Sequence, residues 1–130
     1  MLTTKLLSIA LGGAIGTLLR YGVSGLTYRY TGPGFPWGTL AVNLIGSFVI
    51  GVLWSLFDVT AVGPNVRIFV LIGVLGGFTT FSTYSLECFN LLRDGEMGLA
   101  LCNVVASNVL GIALTFFGFG MTRSMINLFG

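Results

Sequence analysis

Histidine is missing altogether from the 130 residues. That removes the commonest general base, proton shuttle and metal ligand at one stroke. Charge is scarce too. Six Lys and Arg and four Asp and Glu make up 8% of the chain, against roughly 25% in ordinary soluble domains. So few charged groups could not clothe a soluble fold of this length. Cysteine is limited to Cys88 and Cys102, which lack metal-site spacing, and both are read as small apolar packing residues. The net charge of +2 is scattered and offers no basic patch for nucleic acid. With no nucleophile–base pair and no metal cluster, an enzyme is the least favoured class.

What the chain does have is apolar length. Hydrophobic residues are 55% of it, and a spanning helix needs roughly 20 of them in a run. Charges and turn residues cut the sequence into four such runs, at about 4–26, 37–57, 68–92 and 97–121. The turn "TGPGFP" (Thr31 to Pro36), the group Asp58, Gly63, Pro64 and Arg67, and the turn "RDGE" (Arg93 to Glu96) separate them. The expected fold is a single all-α membrane domain of four transmembrane helices. The opening "MLTTKLLSIALGGAIG" has the look of a signal peptide, but further spans follow it, so it is read as the first span.

Four spans place both termini on one side. Lys5, Arg67 and Arg123 then face Arg29 and Arg93, joined by Arg20 if that residue snorkels outward. The positive-inside rule gives almost no instruction at such a balance. Either something else sets the orientation, or the chain inserts both ways and opposite copies pair. The second reading is favoured.

Gly12 and Gly16, Gly46 and Gly51, and Gly111 have the small-residue spacing that lets helices approach closely in lipid. Polar residues also fall in rows of four. Thr39, Asn43 and Ser47 lie on the second run, and Asn103, Ser107, Gly111 and Thr115 on the fourth, with Asn108 one residue off the line. All of their polar side chains are uncharged donors. Such a row suits a small anion, replacing its hydration without trapping it. The plainer reading is that Asn43 and Asn108 tie helices together.

The stretch "GVLGGFTTFSTYS" (Gly73 to Ser85) crowds helix-averse residues into the third run. Gly76 and Gly77 weaken a helix by about 1 kcal/mol each relative to alanine. Thr79, Thr80, Ser82 and Thr83 offer the backbone other partners. The expectation is a third helix broken near the membrane midplane, and non-helical backbone there must be buried in protein or line a cavity. Its released carbonyls could hold a cation, or the break could be a kink without a ligand. Phe81 and Tyr84 follow, three apart. Their ring edges carry partial positive charge and could touch an anion, or the rings could simply pack.

Three stretches, "GGAIGTLLRY" (Gly12 to Tyr21), "GTLAVNLIGSFVIG" (Gly38 to Gly51) and "GGFTTFSTYS" (Gly76 to Ser85), resemble the signatures of the Fluc/CrcB fluoride channels. The resemblance covers most of the chain. It implies an antiparallel, dual-topology homodimer in a prokaryotic plasma membrane, with two pores passively exporting cytoplasmic fluoride. It also implies a structural sodium ion on the dimer axis, bound by the backbone carbonyls of Gly76 and Thr79. By motif position, Asn43, Phe81 and Tyr84 line the fluoride pore, Ser82, Thr83, Ser107 and Thr115 fall on or near its polar track, and Arg20 and Glu87 are pore-mouth charges. Two residues depart from the family pattern: Tyr84 stands where phenylalanine is usual, and Gly111 where the track usually carries a hydroxyl.

Two rival functions lose ground on the same residues. A small multidrug transporter needs a carboxylate buried in its first span, and none is there; Glu87, on the third, is the only acid within any span. A structural or regulatory membrane subunit would make the polar rows inert packing, and altering Asn43 would then leave ion flux unchanged.

Overall fold

The computed structural model describes all 130 residues, Met1 to Gly130. They form helices and no strand. Helix α1 is Leu2–Thr31 and α2 is Trp37–Val59. The third apolar stretch, Pro64–Arg93, comprises α3 (residues 64–78) and α4 (Phe81–Arg93), with Thr79 and Thr80 between them. Helix α5 is Met97–Phe129. Four stretches are long and apolar enough to cross a membrane.

The helices overrun the apolar runs at most ends. Nothing stops α1 before Gly32, whose positive φ of 77° ends it ahead of Pro33, a residue that cannot continue a helix. Thr27 and Thr31 stay helical by donating back to the carbonyls of Val23 and Thr27, at 2.8 and 2.9 Å. At about 45 Å for thirty residues, α1 exceeds a hydrocarbon layer of roughly 30 Å, so its polar end projects beyond it. Pro64 opens α3 at a first-turn position, where its missing N–H costs nothing. The end of α5 is anchored by Arg123, which donates to Asp58 at 2.8 Å and lies over the Phe119 ring.

Only 20 residues are buried, and the outward surface is studded with Leu, Ile and Phe, Leu18 and Phe116 among them. With lipid as solvent, the seams between helices rely on close packing of small residues rather than on hiding apolar ones. Gly12 on α1 meets Gly73 on α3 so closely that a Cβ on Gly12 would come within 2.9 Å of the Gly73 Cα. Gly16 lies against the Val74 carbonyl and Gly77 against the Gly13 carbonyl. On the other side of the bundle, Gly51 of α2 and Gly118 of α5 let those two helices touch backbone to backbone.

Two π-helical segments interrupt the α geometry, Ile68–Val74 in α3 and Ala106–Leu110 in α5. The second matters for the polar row on α5. Residues spaced by four drift about 40° per step around an ideal α-helix, so Asn103 and Thr115 would end up on different faces. One wide turn takes in an extra residue and recovers most of that drift. Asn103 then faces α4 and Thr115 faces α2, both toward the interior of the bundle.

Candidate functional site

Between α3 and α4 the backbone is extended, with φ/ψ of −88/158° at Thr79 and −149/121° at Thr80. The chemistry of the segment accounts for this. Thr79 closes α3, its N–H and its hydroxyl both donating to the Leu75 carbonyl. Thr80 caps α4, its hydroxyl oxygen accepting the Thr83 N–H at 3.2 Å, which satisfies an orphan donor of the new helix.

Asn43 on α2 holds the two residues open. Its Nδ2 donates to the Thr80 carbonyl at 2.9 Å, and its Oδ1 accepts the Thr80 N–H at 2.8 Å. The carboxamide thus lies beside Thr80 as a neighbouring strand would, serving both backbone groups. Arg20 on α1 supplies a third tie, its Nε donating to the Gly77 carbonyl at 2.9 Å.

An account of the donors shows which carbonyls lose their helical partners. In a continuous helix Thr80 N–H would serve Gly76, Phe81 N–H would serve Gly77, Ser82 N–H would serve Phe78, and Thr83 N–H would serve Thr79. Thr80 N–H goes to Asn43 instead, Gly77 is served by Arg20, and Thr83 N–H goes to the Thr80 hydroxyl. The carbonyls of Gly76, Phe78 and Thr79 are the ones released: no backbone N–H reaches them across the break, and no side chain donates to any of the three. Gly76 and Thr79 line a groove of about 330 Å³, together with Asn43, Ser47, Thr80 and Phe81. The groove opens at the surface of the chain, where Gly76 and Ser82 are exposed and Phe81 is 78% exposed. Carbonyls, a hydroxymethyl and an aromatic ring are an ill-matched surface for lipid.

Thr80 also borders a second cavity, of about 510 Å³, walled by Thr17, Arg20, Ser24, Tyr28, Thr39 and Thr83. Arg20 brings a positive charge to it and has no carboxylate within ion-pair distance; the ion pairs of the chain are Arg93–Asp94 and Arg123–Asp58. Tyr28 in turn borders a third cavity, of about 430 Å³, with Glu87, Asn90 and Asp94 in its wall. Thr80 is thus common to the first two cavities and Tyr28 to the second and third, and the third reaches the 32–36 loop. Glu87 in the third cavity is half-buried, with Oε1 accepting from the Thr39 hydroxyl at 2.5 Å. Its Oε2 is buried without a partner.

The remaining residues singled out from the sequence fall in three places. Tyr84 belongs with the pair at the break, its buried ring 5.5 Å from that of Phe81 and tilted by 55°. Ser107 donates to Asn103 Oδ1 at 3.2 Å, and Asn103 donates to Cys88 Sγ at 3.3 Å, so Cys88 is a weak acceptor in a polar cluster as well as a packing residue. Thr115 lies apart, its hydroxyl donating to the Ser47 carbonyl at 2.9 Å and to that of Gly111 at 3.2 Å. That proton is occupied in the seam between α2 and α5. At Gly111 a Cβ would meet only Ser47 Oγ, at 3.5 Å, and Leu44, so the missing hydroxyl leaves room beside Ser47.

Sequence reasoning did not anticipate the Thr39–Glu87 bond, the Arg20 tie to Gly77 or the Asn108 bond to Tyr84. All join residues far apart in the chain. The capping by Thr80 did have a local signal, a threonine three residues before a second one at the start of a helix.

A family model described as CrcB-like protein, Camphor Resistance (CrcB), matches residues 7–119. Curated relatives named "Fluoride-specific ion channel FluC" align along most of the chain. That of Salinibacter ruber is 51% identical over 116 residues, 89% of this chain and 87% of the relative. That of Parabacteroides distasonis is 44% identical over 124 residues, 95% and 97%. The Thermus thermophilus relative is 46% identical over 122 residues, 94% and 98%.

Proposed function

The chain belongs to the CrcB family, and on that premise we propose how it works as a fluoride channel. It is a multi-pass integral membrane protein, in a bacterium one of the plasma membrane, and its family is one of ion channels rather than enzymes. Fluoride crosses passively, stripped of water by uncharged donors along α2, α4 and α5. Hydrogen fluoride that enters from acid surroundings ionises in the cytoplasm, and the membrane potential then drives the anion out.

Two oppositely oriented copies form the working unit, each providing one pore. The near balance of positive charge between the two sides favours insertion both ways. The groove at Gly76, Thr79 and Phe81 favours a protein partner over lipid, because its polar backbone needs cover. The third stretch is a broken helix at mid-membrane in this reading. The donor set at the break also fits a sodium ion. The Gly76 and Thr79 carbonyls of two copies would offer four oxygens, the ligand type that hard cations take. Bound there, the ion supplies a fixed positive charge that ties the copies together.

Asn43, Phe81 and Tyr84 line the narrow part of the path, with Ser82 and Thr83 along it and Ser107 beside it, its hydroxyl proton given to Asn103. Thr115 lies on the same row, but its bond to Ser47 turns its proton away. Arg20 draws anions into the cavity it borders and Glu87 stands at the mouth. The observation that carries this reading is the diversion of the Thr80 N–H to Asn43, which opens the backbone where pore and cation site meet.

Purified protein in liposomes, followed with a fluoride electrode, tests it. Rapid fluoride efflux with negligible chloride efflux is expected, slowed sharply by Phe81→Ile and weakened when a larger cation replaces sodium. Folded protein that releases neither halide with sodium present would falsify the channel reading.

A further inference from the structure

The phenol of Tyr84 is held in a way that leaves its proton to spare. The residue sits one turn into α4, with its ring buried against that of Phe81. Asn108 faces it from the π-helical segment of α5. The Asn108 Nδ2 has two protons. One goes to the Val104 carbonyl at 2.8 Å, pinning the carboxamide to its own helix, and the other goes to the Tyr84 hydroxyl oxygen at 3.2 Å. A hydroxyl that accepts from Asn108 must point its own proton elsewhere.

The Cys88 thiol lies within hydrogen-bonding reach of that hydroxyl. Sulfur is a weak acceptor, and Asn103 already donates to it. No oxygen or nitrogen of the chain accepts the phenol proton. A phenol proton offered only a weak sulfur that already accepts from Asn103 gains from a stronger acceptor outside the chain. The Phe81 ring neighbours the phenol on one side, and Phe81 borders the groove at the break.

We propose that the Tyr84 hydroxyl, aimed by Asn108, donates a hydrogen bond to the permeating anion and so forms a donor subsite beside the Phe81 ring. Tyr84 is the binding residue and Asn108 a positioning residue. The inference rests on the channel reading and adds a specificity element to it. Hydrogen bonds to an ionised acceptor are roughly twice as strong as neutral ones, and a small, charge-dense halide gains more from one than a larger halide does. Tyrosine here raises affinity for fluoride above what a ring edge alone provides.

The test reads the fluoride concentration that half-saturates efflux from liposomes. Tyr84→Phe, which removes only the hydroxyl, raises it about tenfold, the loss of one charge-assisted bond. Asn108→Ala raises it less, about threefold, and adds nothing in the Tyr84→Phe background, as expected of a residue acting through the phenol. Incorporation of 3-fluorotyrosine at position 84, a stronger donor of nearly the same shape, lowers it, and this arm serves if Tyr84→Phe fails to fold. A Tyr84→Phe channel with the wild-type half-saturation, or a 3-fluorotyrosine channel with no shift, overturns the inference while leaving the channel reading intact. Wild-type protein that passes no fluoride overturns both.

Discussion

Replacing Asn43 by alanine removes the partner of both backbone groups of Thr80 at once. Each lost bond leaves a donor or acceptor in an apolar span, a cost of about 1–3 kcal/mol per group. Measured interhelical bonds in membranes average nearer 0.6 kcal/mol and reach about 1.7, since freed groups find other partners. Here the alternative partner is specific. With Asn43 gone, the Thr80 N–H can return to the Gly76 carbonyl that an uninterrupted helix would give it. The expected global loss is therefore about 2 kcal/mol, between those limits, while the local change is large. Thermal unfolding in detergent should shift downward by several degrees. Hydrogen exchange at the Thr80 amide should change by much more than at amides of α1, and fluoride efflux should fall sharply. Asn43→Asp makes a finer probe: it keeps an oxygen for the Thr80 N–H but sets a second oxygen against the Thr80 carbonyl, 2.9 Å away in the native bond. An Asn43→Ala protein with native exchange at Thr80 and native efflux would refute the argument that this carboxamide holds the backbone open.

The glycine seams make a paired prediction. Gly16→Ala drives a methyl into the Val74 carbonyl and should destabilise by about 1–3 kcal/mol, whereas Gly13→Ala meets nothing within 4 Å and should stabilise its helix by roughly 1 kcal/mol; melting curves moving the same way would contradict the α1–α3 packing. At Arg20, lysine keeps the charge but loses the planar fork that reaches Gly77, so Arg20→Lys should cost about 1 kcal/mol of stability with most of the fluoride flux retained. Arg20→Met should cost as much and slow the flux further, and equal flux in the two variants would strip the charge of its role.

The scarcity of charge and the four apolar runs made the helical membrane fold legible without coordinates, because bilayer thickness sets how long an apolar run must be. The helix-averse stretch from Gly73 to Ser85 marked where the backbone would be least content as a helix. Its partners were not legible: Asn43 is 37 residues from Thr80 and Arg20 is 57 from Gly77, and spacing rules act only within a few turns. The π-helical segments were equally hidden, since "IFVLIGV" and "ASNVL" differ little in composition from their neighbours. That is why counting by four placed Thr115 among the donors of the row but could not tell that its proton is taken by Ser47. The helix ends were not legible from the apolar runs for a simpler reason. Polar residues such as Thr27 and Thr31 end an apolar run but do not end a helix when their hydroxyls bond to their own backbone.

Both residues that hold the third stretch open, Arg20 and Asn43, precede it in the chain. As the protein leaves the ribosome, α1 and α2 are made first, so these side chains are already waiting when the Gly76–Thr80 region arrives. The opening need not be pried out of a finished helix; it is caught before the last turn can zip shut. A version of the gene permuted to translate the third stretch first would have to unwind formed turns instead, and should mature more slowly even with every residue intact.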